Sequence, residues 1–234
     1  MDKEIRKIRE EICDVCGKLW QRGIVAANDG NVSVLLADGS IICTPSGISK
    51  AAITPEMLLH VEQDLTVRSA LEGMKPSSEL KMHIRCYQER PDVKAVVHAH
   101  PPIATSFASI GKGLDDYKVM ETIVQLGTVP VAPYAKPSSD EVPDSIAPFL
   151  KDHDAVLLAN HGALTVGDCL KTAYFRMETL EMFAKTSLYM KLLGGGDDLP
   201  KDKIDELLDL RENGYHIQGR HPGYEKLTGQ GDHE

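Results

Sequence analysis

Two short apolar runs constrain this chain most: "VKAVVHAHPP" (Val93–Pro102) and "AVLLANHGAL" (Ala155–Leu164). Each is closed by proline or by an Asn-His-Gly turn signal, and the second is apolar throughout before its turn. A short continuous apolar run bounded by turn residues reads as a buried strand. Longer segments with helical spacing of apolar residues surround both runs. Strands interleaved with helices imply a sheet covered by helices on both faces, an α/β fold.

The rest of the chain supports this reading. An opening helix is expected over about Lys3 to Arg22, where Ile5, Ile8, Ile12, Val15, Cys16 and Leu19 form one stripe. "NVSVLLADGSIICT" reads as two strands around Asp38-Gly39. Thr54 is placed to cap a short helix with Pro55 at its first position. "LLHVEQDLTVRSA" reads as further strand. A helix starts at Pro76-Ser77-Ser78-Glu79, with Leu80, His83, Ile84 and Tyr87 on one face. "PPIATSFASI" reads as helix, and "METIVQLGTVPVAPYA" as mostly extended. "SSDEVPDSIAPFLKDH" is helical within the limits set by Pro143 and Pro148. A long helix is expected from Asp168 to about Leu193, stopped by three glycines, and a last one over Lys201 to Arg211. No linker or repeat interrupts these segments. One domain is expected, with its core over about residues 5–193 and a helix and tail over 200–234.

Composition excludes several function classes. The 234 residues contain no apolar run near the 18 or so that a membrane span needs. The N-terminus is charged and helical in pattern, unlike a signal peptide. A net charge of −9 argues against nucleic acid as the main partner. A small anionic substrate would then need a local site of backbone N–H groups or metal. Five cysteines without framework spacing suit a reducing cytoplasm. Cys13 and Cys16 make a C-x-x-C with no second pair, on the apolar stripe of the first helix, and read as helix-core cysteines.

Alternate residues of a strand share a face, so His98 and His100 project side by side, about 7 Å apart at the backbone. That is half of a metal site, or a coincidence of sequence. His161 also sits at a strand end, where ligands bind in layered α/β folds; alone, it is a turn residue before a glycine. Three imidazoles meeting at one point would match a catalytic metal site with an open position. The other six histidines carry less. His83 lies on an apolar helix face, His60 and His153 fit strand and turn positions, and His216, His221 and His233 are in the tail. Ser77, Ser78 and Glu79 suit a helix N-terminus as caps and dipole partner, and the same N-terminus could bind phosphate. Asn28-Asp29-Gly30-Asn31 and Thr44-Pro45-Ser46-Gly47 are turn chemistry or nests of N–H groups for an anion.

In this order, "NDGNVSV", "TPSG", "SSE", "HAH" and "NHG" resemble the motifs of the class II aldolase and adducin head family over roughly Ile5 to Leu193. The resemblance implies a three-layer α/β/α sandwich with a largely antiparallel central sheet, and a homotetramer with sites between subunits. It implies that His98, His100 and His161 hold a Zn²⁺ or another divalent metal. Glu79 matches an acidic residue that binds the resting metal and exchanges protons with substrate. Asn31, Ser46, Gly47, Ser77 and Ser78 match phosphate-binding positions. Tyr117 and Tyr215 stand near the regions where such enzymes place tyrosines.

The implied activity is reversible cleavage of a ketose 1-phosphate, with L-fuculose 1-phosphate the leading substrate, to dihydroxyacetone phosphate and an aldehyde. Negative charge left by carbon–carbon cleavage would be stabilised by the metal as a Lewis acid, with Glu79 shuttling the proton. Within the family, a pentulose-phosphate 4-epimerase, a methylthioribulose-phosphate dehydratase or a sugar-acid phosphate decarboxylase are the alternatives. Family epimerases carry aspartate where Glu79 stands. A non-catalytic scaffold of the adducin type is the alternative of another class, although it would need neither Glu79 nor the histidines.

Overall fold

The computed structural model describes residues 3–227. Its strands are β1 (Asn31–Leu35), β2 (Ile41–Cys43), β3 (Leu59–Val61), β4 (Val67–Ser69), β5 (Ala95–Ala99), β6 (Val131–Ala132), β7 (Ala155–Leu158) and β8 (Gly162–Gly167). Its helices are α1 (Lys3–Gln21), α2 (Leu80–Glu89), α3 (Pro102–Ser109), α4 (Met120–Gln125), α5 (Glu141–Ile146), α6 (Leu170–Leu192) and α7 (Lys201–Asp209). The strands form one sheet in the order β4-β3-β2-β1-β5-β8-β7-β6. Every pairing is antiparallel except β6 with β7.

Alternation along β5 shows why helices must cover both faces. Ala95, Val97 and Ala99 pack in one buried cluster with Ile12 and Leu19 of α1, Phe107 of α3, and Leu180 and Phe183 of α6. Val96 packs in a second cluster with Leu80, Ile84 and Tyr87 of α2 and Ile146 of α5. The strand is apolar on both sides, so a layer of helices on either face removes it from water. The result is the expected three-layer α/β/α arrangement. Tyr117, Ile123 and Ile204 form a third, smaller cluster beside α4 and α7.

Several local expectations are corrected. Met120–Gln125 is helical rather than extended, because Ile123 and Val124 are buried from the helix while only Val131–Ala132 reach the sheet. "LLHVEQDLTVRSA" is a hairpin, β3 to β4, whose turn has Leu65 at φ 71. The Thr54 side chain makes no cap bond, although Pro55 does open a 3₁₀ turn. Helix α5 ends at Ile146, and a 3₁₀ turn at Ala147–Phe149 accommodates Pro148. All five cysteines are free; Cys16 is buried and Cys13 only partly so. Among the described residues, no helix is long and apolar enough to cross a membrane.

Candidate active site

Backbone pairing brings the histidines together. β1 pairs with β5 so that Asn31 lies opposite His98. β5 pairs with β8, Ala99 opposite Ala163. The β7–β8 hairpin turns through Asn160 in the left-handed region (φ 58), closed by the His161 N–H donating to Leu158 O at 3.0 Å. Gly162 makes the approach to β5 feasible: a Cβ there would lie 2.5 Å from Ala99 O and 2.6 Å from His100 Cδ2. The ring nitrogens that His98, His100 and His161 offer all lie within 4.8 Å of one another.

Proton placement favours a cation among them. His98 Nδ1 lies 2.9 Å from Ala163 O. A carbonyl only accepts, so Nδ1 carries the proton and Nε2 turns its lone pair to the cluster. His100 Nε2 is 3.1 Å from that nitrogen, and His100 Nδ1 is 3.5 Å from Asp29 Oδ2. If the His100 proton faces the carboxylate, two lone pairs confront each other, which a shared metal would relieve. Burial pushes His98 down to about 3, against the pull of Glu79. His100 is also lowered, by burial first and the field of His161 second. Neutral imidazoles are the ligating form. The donor set therefore fits a divalent metal.

Glu79 completes the cluster. It is the residue before α2, with no side-chain cap bond. Instead, Oε1 is 3.0 Å from His161 Nε2, Oε2 is 3.6 Å from His98 Nε2, and Asn31 Nδ2 donates to Oε2 at 2.6 Å. Burial opposes ionisation, but the hydrogen bonds of His161 and Asn31 hold the carboxyl well below the usual range. Ser77 does serve the helix start, its Oγ accepting from the Glu79 N–H at 3.2 Å in the turn that leads into α2, whereas the Glu79 side chain turns to the histidines instead.

The two serine- and glycine-bearing loops are neighbours. Pro45 bridges to Pro76, and the Ser46 N–H donates to Lys75 O at 2.9 Å. Gly47 follows at φ +76. The Ser78 and Ser138 hydroxyls lie 2.8 Å apart. Ser46, Gly47, Ser77 and Ser78 thus belong to one pair of adjoining loops. Asn31 stands on β1, where its Nδ2 donates to Glu79 and its Oδ1 is buried with no hydrogen-bond partner among the described residues.

Neither tyrosine joins the cluster. Tyr117 is buried, and its hydroxyl can donate to Gly223 O (2.9 Å) or Glu225 O (2.8 Å) and accepts from the Glu225 N–H (2.9 Å). Burial pushes it up to about 12. Tyr215 is exposed and lines a cavity of about 580 Å³ with Met120, Val124, Phe175 and Leu210. His83 is a buried core residue as expected, its Nδ1 2.7 Å from Ser33 Oγ. His233 lies outside the described residues. Sequence reading did not single out two neighbours of the site. One is Asp29 beside His100, which stands within a recognised motif. The other is Lys50, which no motif marks.

The fold and this constellation define a class. The profile of the Class II Aldolase and Adducin N-terminal domain matches residues 10–188, and the chain belongs to this family. The chain is 35% identical over 185 residues to 3-oxo-tetronate 4-phosphate decarboxylase of Escherichia coli K12, covering 77% of this chain and 85% of that protein. It is 31% identical over 209 residues to L-fuculose phosphate aldolase of the same strain, covering 89% and 94%. A solved structure of L-fuculose 1-phosphate aldolase superposes with a TM-score of 0.79 at 30% identity, over 87% of this chain and 95% of the other.

Proposed function

We propose that this chain is a divalent-metal carbon–carbon lyase. In this reading it reversibly cleaves a ketose 1-phosphate such as L-fuculose 1-phosphate into dihydroxyacetone phosphate and an aldehyde. The observation that carries the reading is the convergence of His98, His100, His161 and Glu79. Three imidazoles with a carboxylate suit Zn²⁺. A metal held by the three histidines supplies Lewis-acid stabilisation of the negative charge that bond cleavage leaves on substrate oxygens. Ser46, Gly47, Ser77 and Ser78 bind the phosphate through hydroxyls and backbone N–H groups. Glu79, a carboxylate at rest, takes up the substrate hydroxyl proton released as the aldehyde forms and returns it to the carbon left electron-rich when the carbon–carbon bond breaks; the reverse direction retraces both transfers. Asn31 holds that carboxyl in place.

Decarboxylation is the second reading, favoured by the 35% identity to a 3-oxo-tetronate 4-phosphate decarboxylase. A 3-oxo acid loses its carboxyl group as carbon dioxide and leaves the same enediolate. A proton taken from solvent and passed through Glu79 to carbon then gives dihydroxyacetone phosphate. This route has no substrate hydroxyl to deprotonate, so it needs no group beyond the metal and Glu79.

The same reading takes the chain as one domain, in a cytoplasmic homotetramer with sites between subunits. The free cysteines suit that compartment. Exposed Phe175, Met182 and Tyr189 recur at every seventh residue of α6, apolar surface that suits a subunit contact. The test is a panel of phosphorylated ketoses and 3-oxo-tetronate 4-phosphate, offered to zinc-loaded protein. Release of dihydroxyacetone phosphate with aldehyde or with carbon dioxide separates the two reactions. Metal-loaded protein that yields it from neither class overturns both.

A further inference from the structure

Lys50 is the least expected buried group near the site. Lysine is rarely buried without a partner of opposite charge, yet Lys50 is 2% exposed. Its Nζ donates to Asn28 O at 2.9 Å and Ile48 O at 3.0 Å. Among the described residues, no carboxylate oxygen lies within 4 Å of it. The carboxylates whose fields reach it are Asp29 and Glu79, after the nearby Cys16 thiol. Both are engaged elsewhere, Asp29 beside His100 and Glu79 with His161 and Asn31.

The two carbonyls belong to different loops. Asn28 begins the turn that leads through Gly30 to Asn31, and Gly30 packs so closely that a Cβ there would lie 2.8 Å from His98 O. Ile48 directly follows Ser46 and Gly47. One ammonium therefore ties the loop behind the metal cluster to the loop assigned to phosphate. Burial already disfavours its charge and lowers its pKa. A neutral donor would hold two carbonyls without that cost, so retaining a cation here needs a reason. A positive charge in a poorly screened interior raises the potential at nearby backbone N–H groups.

We propose that Lys50 is a positioning residue for the substrate phosphate: it holds the two loops together and supplies the positive charge that makes their cradle prefer a dianion. The inference rests on the reading of Ser46, Gly47, Ser77 and Ser78 as the phosphate site. Lys50 does not touch substrate in this account. It acts through the loops it joins.

The experiment uses full-length, zinc-loaded protein and two probes, inorganic phosphate and dihydroxyacetone phosphate. Lys50→Gln keeps hydrogen-bond donors without charge, Lys50→Met removes both, and Lys50→Arg keeps the charge. Loss of the charge should weaken binding of both probes about tenfold or more, a free-energy change of about 1.4 kcal/mol. KM for the phosphorylated substrate should rise in step, with kcat at saturation within about threefold. Lys50→Arg should restore most of the affinity. If Lys50→Met does not fold, the comparison of glutamine with arginine carries the test. Wild-type affinity for phosphate in Lys50→Gln overturns the proposal. Ser77→Ala/Ser78→Ala is measured alongside. If it loses phosphate while Lys50→Gln does not, Lys50 alone has been misassigned. If neither loses it, the phosphate reading falls and the Lys50 proposal falls with it.

Discussion

The side-chain amide of Asn31 donates to Glu79 Oε2 at 2.6 Å, joining β1 to the turn that starts α2. The bond fixes one carboxylate oxygen and leaves the other 3.0 Å from His161. Glu79 makes no helix cap bond, so its structural contribution lies in its contacts with Asn31 and His161. Glu79→Gln can still accept from Asn31, so stability should change by no more than about 1 kcal/mol. The amide has no acid–base function, so kcat should fall by about 10²–10⁴-fold. Exchange of the carbon-bound proton of dihydroxyacetone phosphate with solvent deuterium should slow in parallel. Near-normal exchange in folded, metal-loaded Glu79→Gln would assign the proton transfer to another residue.

Gly162 is predicted to be a metal-site residue without being a ligand. Its backbone is not in the left-handed region, so the constraint is space: an added Cβ meets Ala99 O and the His100 ring. Gly162→Ala must move β8 or displace His100. Overpacking of this kind costs about 1–3 kcal/mol. The melting temperature should fall, and zinc affinity should fall with it because His100 leaves its place. A variant that melts early but binds zinc as tightly as wild type would show that the strand, and not His100, absorbs the clash.

His98 is fully buried, and its Nδ1 proton is fixed by Ala163 O, so its Nε2 is committed to the cluster. The purified protein should hold about one divalent metal per chain, most readily zinc. His98→Ala combined with His161→Ala should reduce that content to near zero by elemental analysis. Chelation of wild-type protein should abolish turnover, and added zinc should restore it. Metal content that is unchanged in the double variant would place the ion elsewhere.

The legibility of this chain follows the range of each interaction. His98, His100 and His161 could be read because strand alternation and an Asn-His-Gly turn are local signals. That Glu79 meets them could not be derived locally, since it depends on the packing of α2 against β1; the family resemblance supplied it. The Met120–Gln125 segment misled because Thr122, Ile123 and Val124 favour strand by propensity, and packing against α6 and α7 overrides that preference. Lys50 was invisible for a related reason. A lysine after a turn reads as solvated surface, and only the approach of α1 and two loops buries it. The sheet order is a matter of long-range pairing, so no spacing in the sequence encodes it.

The last prediction concerns pH and the C-terminal segment. His221 Nε2 lies 2.6 Å from Ile123 O, and its Nδ1 accepts from the Gly223 N–H at 3.0 Å. One ring nitrogen must donate and the other must accept, so the fold requires a neutral imidazole. Burial is the main force that lowers its pKa to about 4; the Ile123 carbonyl opposes this, and Arg211 and His153 add to it. The unfolded chain, with histidine near 6.5, binds the proton more readily than the folded one. Stability from this group is therefore complete above about pH 6.5 and is lost as pH falls towards 4, by up to about 3 kcal/mol. Protonation also sets an N–H against the Gly223 N–H. Release should begin locally, with faster hydrogen exchange at Gly223 and at Glu225, whose N–H is held by Tyr117. In His221→Gln the loss of melting temperature between pH 7 and pH 4.5 should be smaller than in wild type. An equal loss in both proteins would mean that other groups govern acid stability in this window.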